Sequence, residues 1–197
     1  MIAVFDNFIK DEKLLKDLSD DKSLFAKPGE YYWWKGWFNE DDGYKPTLKQ
    51  RLIENIWAQN CPITESFTIA GFEYWTGIQE SSKNKPNAEY DDKLDLHFDK
   101  DEAWWEKTTE FVTPVIGSIY YPYQADFEGG MLEIYTNGED NPPEIVYAKP
   151  NRLIIFNAGQ DVHAVTVVTK GVRYAIAINL WSEEPYSKQI GKFNIEG

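Results

Sequence analysis

The sequence is poor in the residue types that carry much of protein chemistry. Its 197 residues include one cysteine, Cys61, and only two histidines, His97 and His163. A single cysteine excludes an internal disulfide, which is typical of a protein from a reducing compartment. Any site that needs imidazole must use one or both of the two histidines.

Positive charge and long apolar runs are also scarce. The formal net charge is -13, only three arginines are present, and no run of Lys or Arg occurs. A field of this sign repels phosphate backbones, so we expect no nucleic-acid partner. No segment reaches the length of a membrane span, and the N-terminus lacks the basic flank and apolar stretch of a signal peptide. We therefore expect a soluble, cytoplasmic protein without a membrane partner, and the oligomeric state stays open.

What the chain does contain predicts one mainly β domain over residues 1–197. Hydrophobic residues make up 42%, enough for one core. Asp11 is placed to cap a helix through about residue 19, and Thr47 a second helix to about Gln59. From about 65 to 183, short β-branched and aromatic runs alternate with turn residues. We expect a double-stranded β-helix, or jelly roll, with the N-terminal helices packed on one sheet.

One short stretch, "LDLHFDKDE" (94–102), places His97 two residues before Asp99 in a segment that reads as a strand. Residues two apart in a strand point to the same side, so an imidazole and a carboxylate are presented together. His163 lies in another strand-like run. Two histidines and one aspartate form the facial triad of mononuclear non-heme iron(II), with open positions for other ligands. The alternative is that the two histidines are unrelated and structural.

Arg173 follows His163 after the segment "TKG" (169–171). A three-residue hairpin loop with Gly171 in the left-handed conformation would pair Val167 with Arg173 and His163 with Ala177. Arg173 would then lie on the same face as His163 and could bind the far carboxylate of a diacid, since a guanidinium matches a carboxylate with two hydrogen bonds. The alternatives are a different register, which would turn Arg173 away, and an ordinary surface arginine.

Several segments together resemble the 2-oxoglutarate and iron(II)-dependent oxygenases, and within them the prolyl 4-hydroxylase-like branch. They are "VFDNFIKDE", "HFD", "GGMLEIY", "RLIIFNAGQDVHAV" and "GVRYAIAINLW". The resemblance implies that His97, Asp99 and His163 bind Fe(II) and form the catalytic centre. It also implies that Arg173 binds the distal carboxylate of 2-oxoglutarate, and that Tyr121 contacts the same carboxylate, with Tyr120 as the neighbouring alternative.

The reaction implied by the resemblance is hydroxylation coupled to decarboxylation of 2-oxoglutarate to succinate. Dioxygen and 2-oxoglutarate would be co-substrates, and ascorbate is a candidate reductant. Related halogenases lack the carboxylate that Asp99 supplies, so its presence favours hydroxylation. The substrate stays open: a peptidyl proline or another protein side chain, a free amino acid or a small metabolite.

Two further functions fit the sequence, and two segments have undecided roles. The chain could be a jelly-roll binding module without catalysis, or a cupin-type metalloenzyme that uses no 2-oxoglutarate. Trp104 and Trp105 could line the substrate mouth on a loop, or pack over the barrel rim. The polar segment 81–92 could act as a lid or be a plain solvated loop.

Overall fold

The fold is that of a computed structural model, which describes residues 2–39, 43–61, 68–84, 89–123, 126–194 and 196. Most of this part of the chain is β-structure. The strands are β1 (Ile2–Phe5), β2 (Tyr32–Trp34), β3 (Gly71–Glu80), β4 (Leu94–His97), β5 (Ile116–Tyr121), β6 (Glu128–Gly129), β7 (Leu132–Tyr135), β8 (Glu144–Val146), β9 (Arg152–Phe156), β10 (Val162–Val165), β11 (Val168–Lys170) and β12 (Val172–Trp181).

The strands form two facing antiparallel sheets. The larger has the order β1-β9-β5-β12-β3-β2, and the smaller β4-β10-β7-β8, while β11 and β6 form a separate two-stranded ribbon. This arrangement confirms the predicted mainly β, jelly-roll fold. The predicted start of the jelly-roll core, near residue 65, lies outside the described residues, and β3 begins at Gly71.

The helices are α1 (Glu12–Asp20), α2 (Leu48–Glu54), α3 (Glu102–Thr108) and α4 (Tyr186–Gln189). The two predicted N-terminal caps are present. Asp11 accepts hydrogen bonds from the backbone of α1, and Thr47 forms a reciprocal capping box with Gln50 of α2. One π-helical turn, Asn55–Gln59, continues α2, so this helical region ends where it was predicted to end.

The N-terminal helices cover the outer face of the larger sheet. Their buried side chains, among them Leu18, Leu52 and Ile53, pack in one cluster with the even-numbered residues of β12, such as Ile176 and Ile178. The odd-numbered residues of β12 point the other way, between the two sheets. Strand alternation therefore divides β12 into a structural face and a face available for a site. No helix within the described ranges is long and apolar enough to cross a membrane.

The predicted hairpin around "TKG" is wrong. Gly171 does adopt a left-handed conformation, with φ at 72°, and a side chain there would collide with the backbone of Asp126. However, β11 pairs with β6, while Arg173 pairs with Gln79 of β3. Gly171 determines that the chain bends here, but it does not determine which strand pairs with β12. β12 pairs with β3 over ten residues, which is longer than a short hairpin would allow.

Candidate metal and co-substrate site

The two histidines face each other across neighbouring strands of the smaller sheet. His97 ends the edge strand β4, and its Cα partner on β10 is His163. Their ring centroids are 4.3 Å apart. Asp99 follows β4, and its backbone N–H donates at 2.8 Å to the carbonyl of Ala158, which lies just after β9 of the larger sheet. Residues distant in the sequence are thus brought together by strand pairing.

Asp99 completes the cluster. Its Oδ1 lies 3.7 Å from Nε2 of His97 and 3.8 Å from Nε2 of His163. One candidate ligand atom from each of the three residues lies within 4.8 Å of the others. The three residues named from the sequence therefore converge, and their donor set of two imidazoles and one carboxylate fits the facial triad of iron(II).

Both imidazoles are oriented by backbone carbonyls. Nδ1 of His97 lies 2.7 Å from the carbonyl oxygen of Asp95, and Nδ1 of His163 lies 2.9 Å from that of Asp161. A carbonyl only accepts, so each Nδ1 carries the proton and each Nε2 presents a lone pair to the cluster. Burial lowers the pKa of His163 below its usual value, which also favours the neutral, metal-binding form.

Arg173 lies on the site-facing side of β12 and is only 2% exposed. Its Nη1 donates to Oε1 of Gln79 at 2.5 Å, and its Nη2 donates to the hydroxyl of Tyr121 at 2.8 Å. Within the described ranges its Nε is buried without a partner, and the side chains that accept from its terminal nitrogens, Gln79 and Tyr121, are neutral. A buried cation without an anion is unfavourable, so this position is suited to an anionic ligand.

The neighbouring tyrosines lie on opposite sides of β5. Tyr121 stacks near the guanidinium, whose carbon lies 5.1 Å from the ring centroid. Tyr120 points into the helix-facing core, where its hydroxyl donates to Oδ1 of Asn151 at 3.2 Å. The structure therefore places Tyr121, and not Tyr120, beside Arg173.

One cavity of about 380 Å³ contains both ends of this site. His97, Asp99 and His163 line it together with Arg173. Its wall between them is largely apolar and includes Ile119, Leu132, Phe156, Val165 and Ala175. An apolar wall between a metal-binding end and a cationic end suits an elongated diacid. We call this the first cavity.

A second cavity of about 400 Å³ meets the first at the triad. Tyr31, Trp75, His97, Asp99 and Asn179 line both cavities, but Arg173 lines only the first. The rings of Tyr31 and Trp75 lie 5.0 Å apart by their centroids at the junction. His97 and Asp99 are therefore accessible from two sides that differ in chemistry.

The tryptophan pair is not on a loop, contrary to one reading of the sequence. Asp101 caps α3 through the backbone N–H of Trp104, so both tryptophans belong to this helix. The ring of Trp104 packs edge-on against Tyr186 of α4, and Trp105 is 39% exposed beneath Lys100. Neither tryptophan lines the first or second cavity, so their position favours packing.

The segment 81–92 contributes to the rim of the first cavity. Glu89, Tyr90 and Asp91 line it, and the hydroxyl of Ser82 donates to Asp92 at 2.9 Å. Residues 85–88 of the segment lie outside the described residues. Its possible action as a lid stays a prediction.

Three residues near the site were not identified from the sequence. Gln79 contacts Arg173, while Asn179 and Glu73 lie next to Asp99. Asn179 shares the odd-numbered face of β12 with Arg173, which strand alternation alone could have indicated. Gln79 and Glu73 depend on the β3–β12 register, for which the sequence has no local signal.

Comparison with known proteins agrees with this geometry. Residues 87–181 match the family described as the 2OG-Fe(II) oxygenase superfamily, a segment that contains the triad, Tyr121 and Arg173. This match confirms the resemblance drawn from the sequence. No curated protein sequence matches the chain significantly.

Solved structures of prolyl hydroxylases share the fold. A prolyl-4-hydroxylase from Pseudomonas putida is 12% identical, with 93% of each chain covered and a TM-score of 0.58. A prolyl hydroxylase from Trichoplax adhaerens, in complex with a hypoxia inducible factor oxygen degradation domain peptide fragment, is 13% identical, with 96% of this chain and 86% of that chain covered and a TM-score of 0.59. A viral collagen prolyl hydroxylase from Paramecium Bursaria Chlorella virus-1, in a 2OG complex, is 13% identical, with 93% and 96% covered and a TM-score of 0.51.

Proposed function

We propose that this protein is an Fe(II)- and 2-oxoglutarate-dependent oxygenase that hydroxylates its substrate while 2-oxoglutarate is decarboxylated to succinate. The observation that carries the proposal is the shared first cavity. Among the described residues, it has three candidate metal ligands at one end and, at the other, a buried guanidinium whose hydrogen-bond partners are neutral side chains. A jelly-roll binding module without catalysis would not need metal ligands and a buried guanidinium in the same cavity.

His97, Asp99 and His163 would hold the iron. Their Nε2 and carboxylate atoms are the right donor types, and the two Nδ1–H groups are already engaged by backbone carbonyls, which fixes the rings. Iron held there would supply the activation of dioxygen, with electrons from the oxidative decarboxylation of 2-oxoglutarate.

Arg173 would bind the carboxylate of 2-oxoglutarate that is distal to the metal. Gln79 and Tyr121 already hold one nitrogen each of its terminal pair, so the guanidinium plane is fixed before a ligand arrives. Nε and the remaining N–H groups are free to donate to a carboxylate. The apolar side chains in the wall of the first cavity would lower the local dielectric around the co-substrate, which strengthens these charged contacts.

The substrate to be hydroxylated would approach the triad through the second cavity. This cavity shares His97 and Asp99 with the first and leaves the Arg173 end undisturbed. Tyr31 and Trp75 provide flat apolar faces next to the triad, which suits a compact ring or an aliphatic group. Since three structural neighbours are named as prolyl hydroxylases, a peptidyl proline is the first substrate to test.

Anaerobic titration with Fe(II) and 2-oxoglutarate tests the co-substrate site directly. We expect a weak visible charge-transfer band that needs both components. His97→Ala should abolish the band, whereas Tyr120→Phe, which alters only the helix-facing core, should keep it. On admission of oxygen, succinate should form, and ascorbate should be included as the candidate reductant.

Absence of the band in a well-folded protein would contradict the proposal. Metal-dependent turnover that persists in Arg173→Ala without 2-oxoglutarate would favour the cupin-type enzyme, and a biological activity unchanged in His97→Ala would favour the binding module. The substrate itself can be sought as a mass gain of one oxygen, first across proline-containing peptides and then across free amino acids and metabolites.

A further inference from the structure

Asn179 connects the candidate metal site to a hydrogen-bond network in the larger sheet. It lies on β12 on the same face as Arg173 and is 2% exposed. Its side-chain Nδ2 donates to Oδ2 of Asp99 at 3.0 Å. The same nitrogen lies 3.4 Å from Oε2 of Glu73. One amide group therefore bridges two carboxyl groups.

The far side of this bridge is fixed as well. Glu73 is the Cα partner of Asn179 on β3, so strand pairing sets the two side chains side by side. Oε2 of Glu73 also accepts a hydrogen bond from Nε1 of Trp181 at 3.0 Å. Because both neighbours of the amide nitrogen are acceptors, the orientation with Nδ2 toward them is the one that satisfies the contacts.

The backbone opposite Asn179 leaves room for its side chain. Gly117 is its Cα partner on β5. A Cβ at Gly117 would lie 3.1 Å from Oδ1 of Asn179 and 2.4 Å from Cβ of Ala158, the residue whose carbonyl holds the backbone of Asp99. The space that Asn179 occupies is thus defined by both neighbouring strands.

The two oxygens of Asp99 consequently have different surroundings. Oδ1 faces Nε2 of both histidines at 3.7 and 3.8 Å, and Oδ2 is held by Asn179. An oxygen that accepts a hydrogen bond from a fixed amide is kept from turning toward the histidines. Without that bond, rotation about the terminal torsion of Asp99 would let either oxygen, or both, face the site.

We propose that Asn179 is a positioning residue that makes Asp99 a one-oxygen metal ligand, with Glu73 and Trp181 holding Asn179 in place. This inference rests on the proposed function, since it assumes a metal at the triad. Restricting Asp99 to one oxygen keeps coordination positions free for the co-substrate. Asn179 acts through Asp99 and is assigned no contact with the co-substrate.

Titration of the purified, metal-free protein with Co(II) alone tests this role without relying on turnover. Asn179→Ala should weaken Co(II) affinity about 10- to 100-fold, the usual range for a group that orients a ligand. It should also change the visible d–d spectrum, because the coordination by Asp99 changes. Glu73→Gln should keep affinity and spectrum close to wild type, since an amide oxygen can still accept from Asn179 and Trp181.

Asn151→Ala serves as the matched control. Asn151 is also buried and forms hydrogen bonds, but to Ile9 and Tyr120 and not to the triad. It should lower thermal stability and leave Co(II) binding unchanged. Should Asn179→Ala fail to fold, Asn179→Ser replaces it, because a serine hydroxyl is too short to bridge both carboxyl groups, and the same loss is expected.

Co(II) affinity and spectrum of the Asn179 variants within twofold of wild type would overturn the inference. The failure of the inference and of the proposed function are distinguishable. If the wild-type protein binds Co(II) in a His97-dependent manner and Asn179→Ala does so equally well, only the positioning role fails. If the wild-type protein binds no Co(II), the metal site itself fails.

Discussion

The two ends of the first cavity are built in different ways. At the metal end, His97 and Asp99 come from an edge strand and the segment after it, and the His97 side chain is 32% exposed. At the other end, Arg173 is 2% exposed and lies among the adjoining strands of one sheet. The metal end is open and its ligands are neutral or anionic, whereas the arginine end is closed and positively charged.

Because of this difference, we expect the two ends to affect the free energy of unfolding differently when no ligand is bound. Each residue of the triad has one side-chain hydrogen bond that does not depend on a metal. Arg173 has partners for Nη1 and Nη2 but none for its buried Nε among the described residues, and it has no counter-charge there. We infer that preorganisation lowers the free energy of unfolding at the arginine end, whereas at the metal end the hydrogen bonds that orient the ligands carry no such cost.

The largest expected effect comes from substituting one residue at each end. His163→Ala should lose both Co(II) binding and 2-oxoglutarate binding, because the diacid chelates the metal in the proposed site. Arg173→Met should keep Co(II) binding but weaken 2-oxoglutarate binding at least about 100-fold, since charged hydrogen bonds are lost. Without ligands, Arg173→Met should unfold at the same temperature as wild type or higher, because a buried unpaired charge is gone.

Thermal unfolding with and without each ligand measures both effects, since a ligand stabilises only the folded state that binds it. Arg173→Lys is the control that keeps the charge but not the planar fork, and its loss of 2-oxoglutarate binding should be intermediate. If Arg173→Met lost Co(II) and 2-oxoglutarate binding together, the two ends would not be separable as described.

A smaller effect is expected for the tyrosine at the arginine end. Tyr121→Phe removes the acceptor for Nη2 of Arg173, which is worth about 1 kcal/mol, or about fivefold in 2-oxoglutarate affinity. Tyr120→Phe removes a hydrogen bond to Asn151 and should lower only stability. Calorimetric titration of the Co(II)-loaded protein separates the two variants. The opposite pattern would mean that Tyr120, and not Tyr121, contacts Arg173.

The last effect is on folding stability rather than on ligand affinity, and it concerns pH at the metal end. Burial, together with the nearby charge of Asp99, raises the pKa of Glu73 to about 8 from a usual value of 4.5. The folded protein thus keeps a proton that the unfolded chain loses between these values. This contribution to the free energy of unfolding is complete below about pH 4.5 and is lost as pH rises through about 8.

Denaturant unfolding of the metal-free protein across this pH range measures the effect. The difference in unfolding free energy between wild type and Glu73→Gln should shift against wild type as pH rises from about 5 to about 8. Glutamine does not titrate, so other groups cancel in the comparison. Parallel curves for the two proteins would show that Glu73 has an ordinary pKa and is not desolvated as its position indicates.

Much of the fold and of the triad was accessible from local sequence patterns. Caps at Asp11 and Thr47, the even spacing of His97 and Asp99, and the run of short strands each follow from local geometry. The hairpin at Gly171 shows where this stops. The local conformation was predictable, but the pairing of β12 was set by long-range ladders that no local pattern encodes.

The sequence by itself determined which side chains are available to bind a metal or an anion. With two histidines and three arginines, few sites can be made, and alternation along one strand already put Arg173 and Asn179 on a shared face. Asp99 is two residues from His97 but lies just beyond the end of β4, so its position depends on the segment that follows the strand. Only the tertiary structure decided which faces meet. The pairing of β4 with β10, and of β3 and β5 with β12, joined those faces across the two sheets, because strand register depends on packing and hydrogen bonds between segments far apart in the chain.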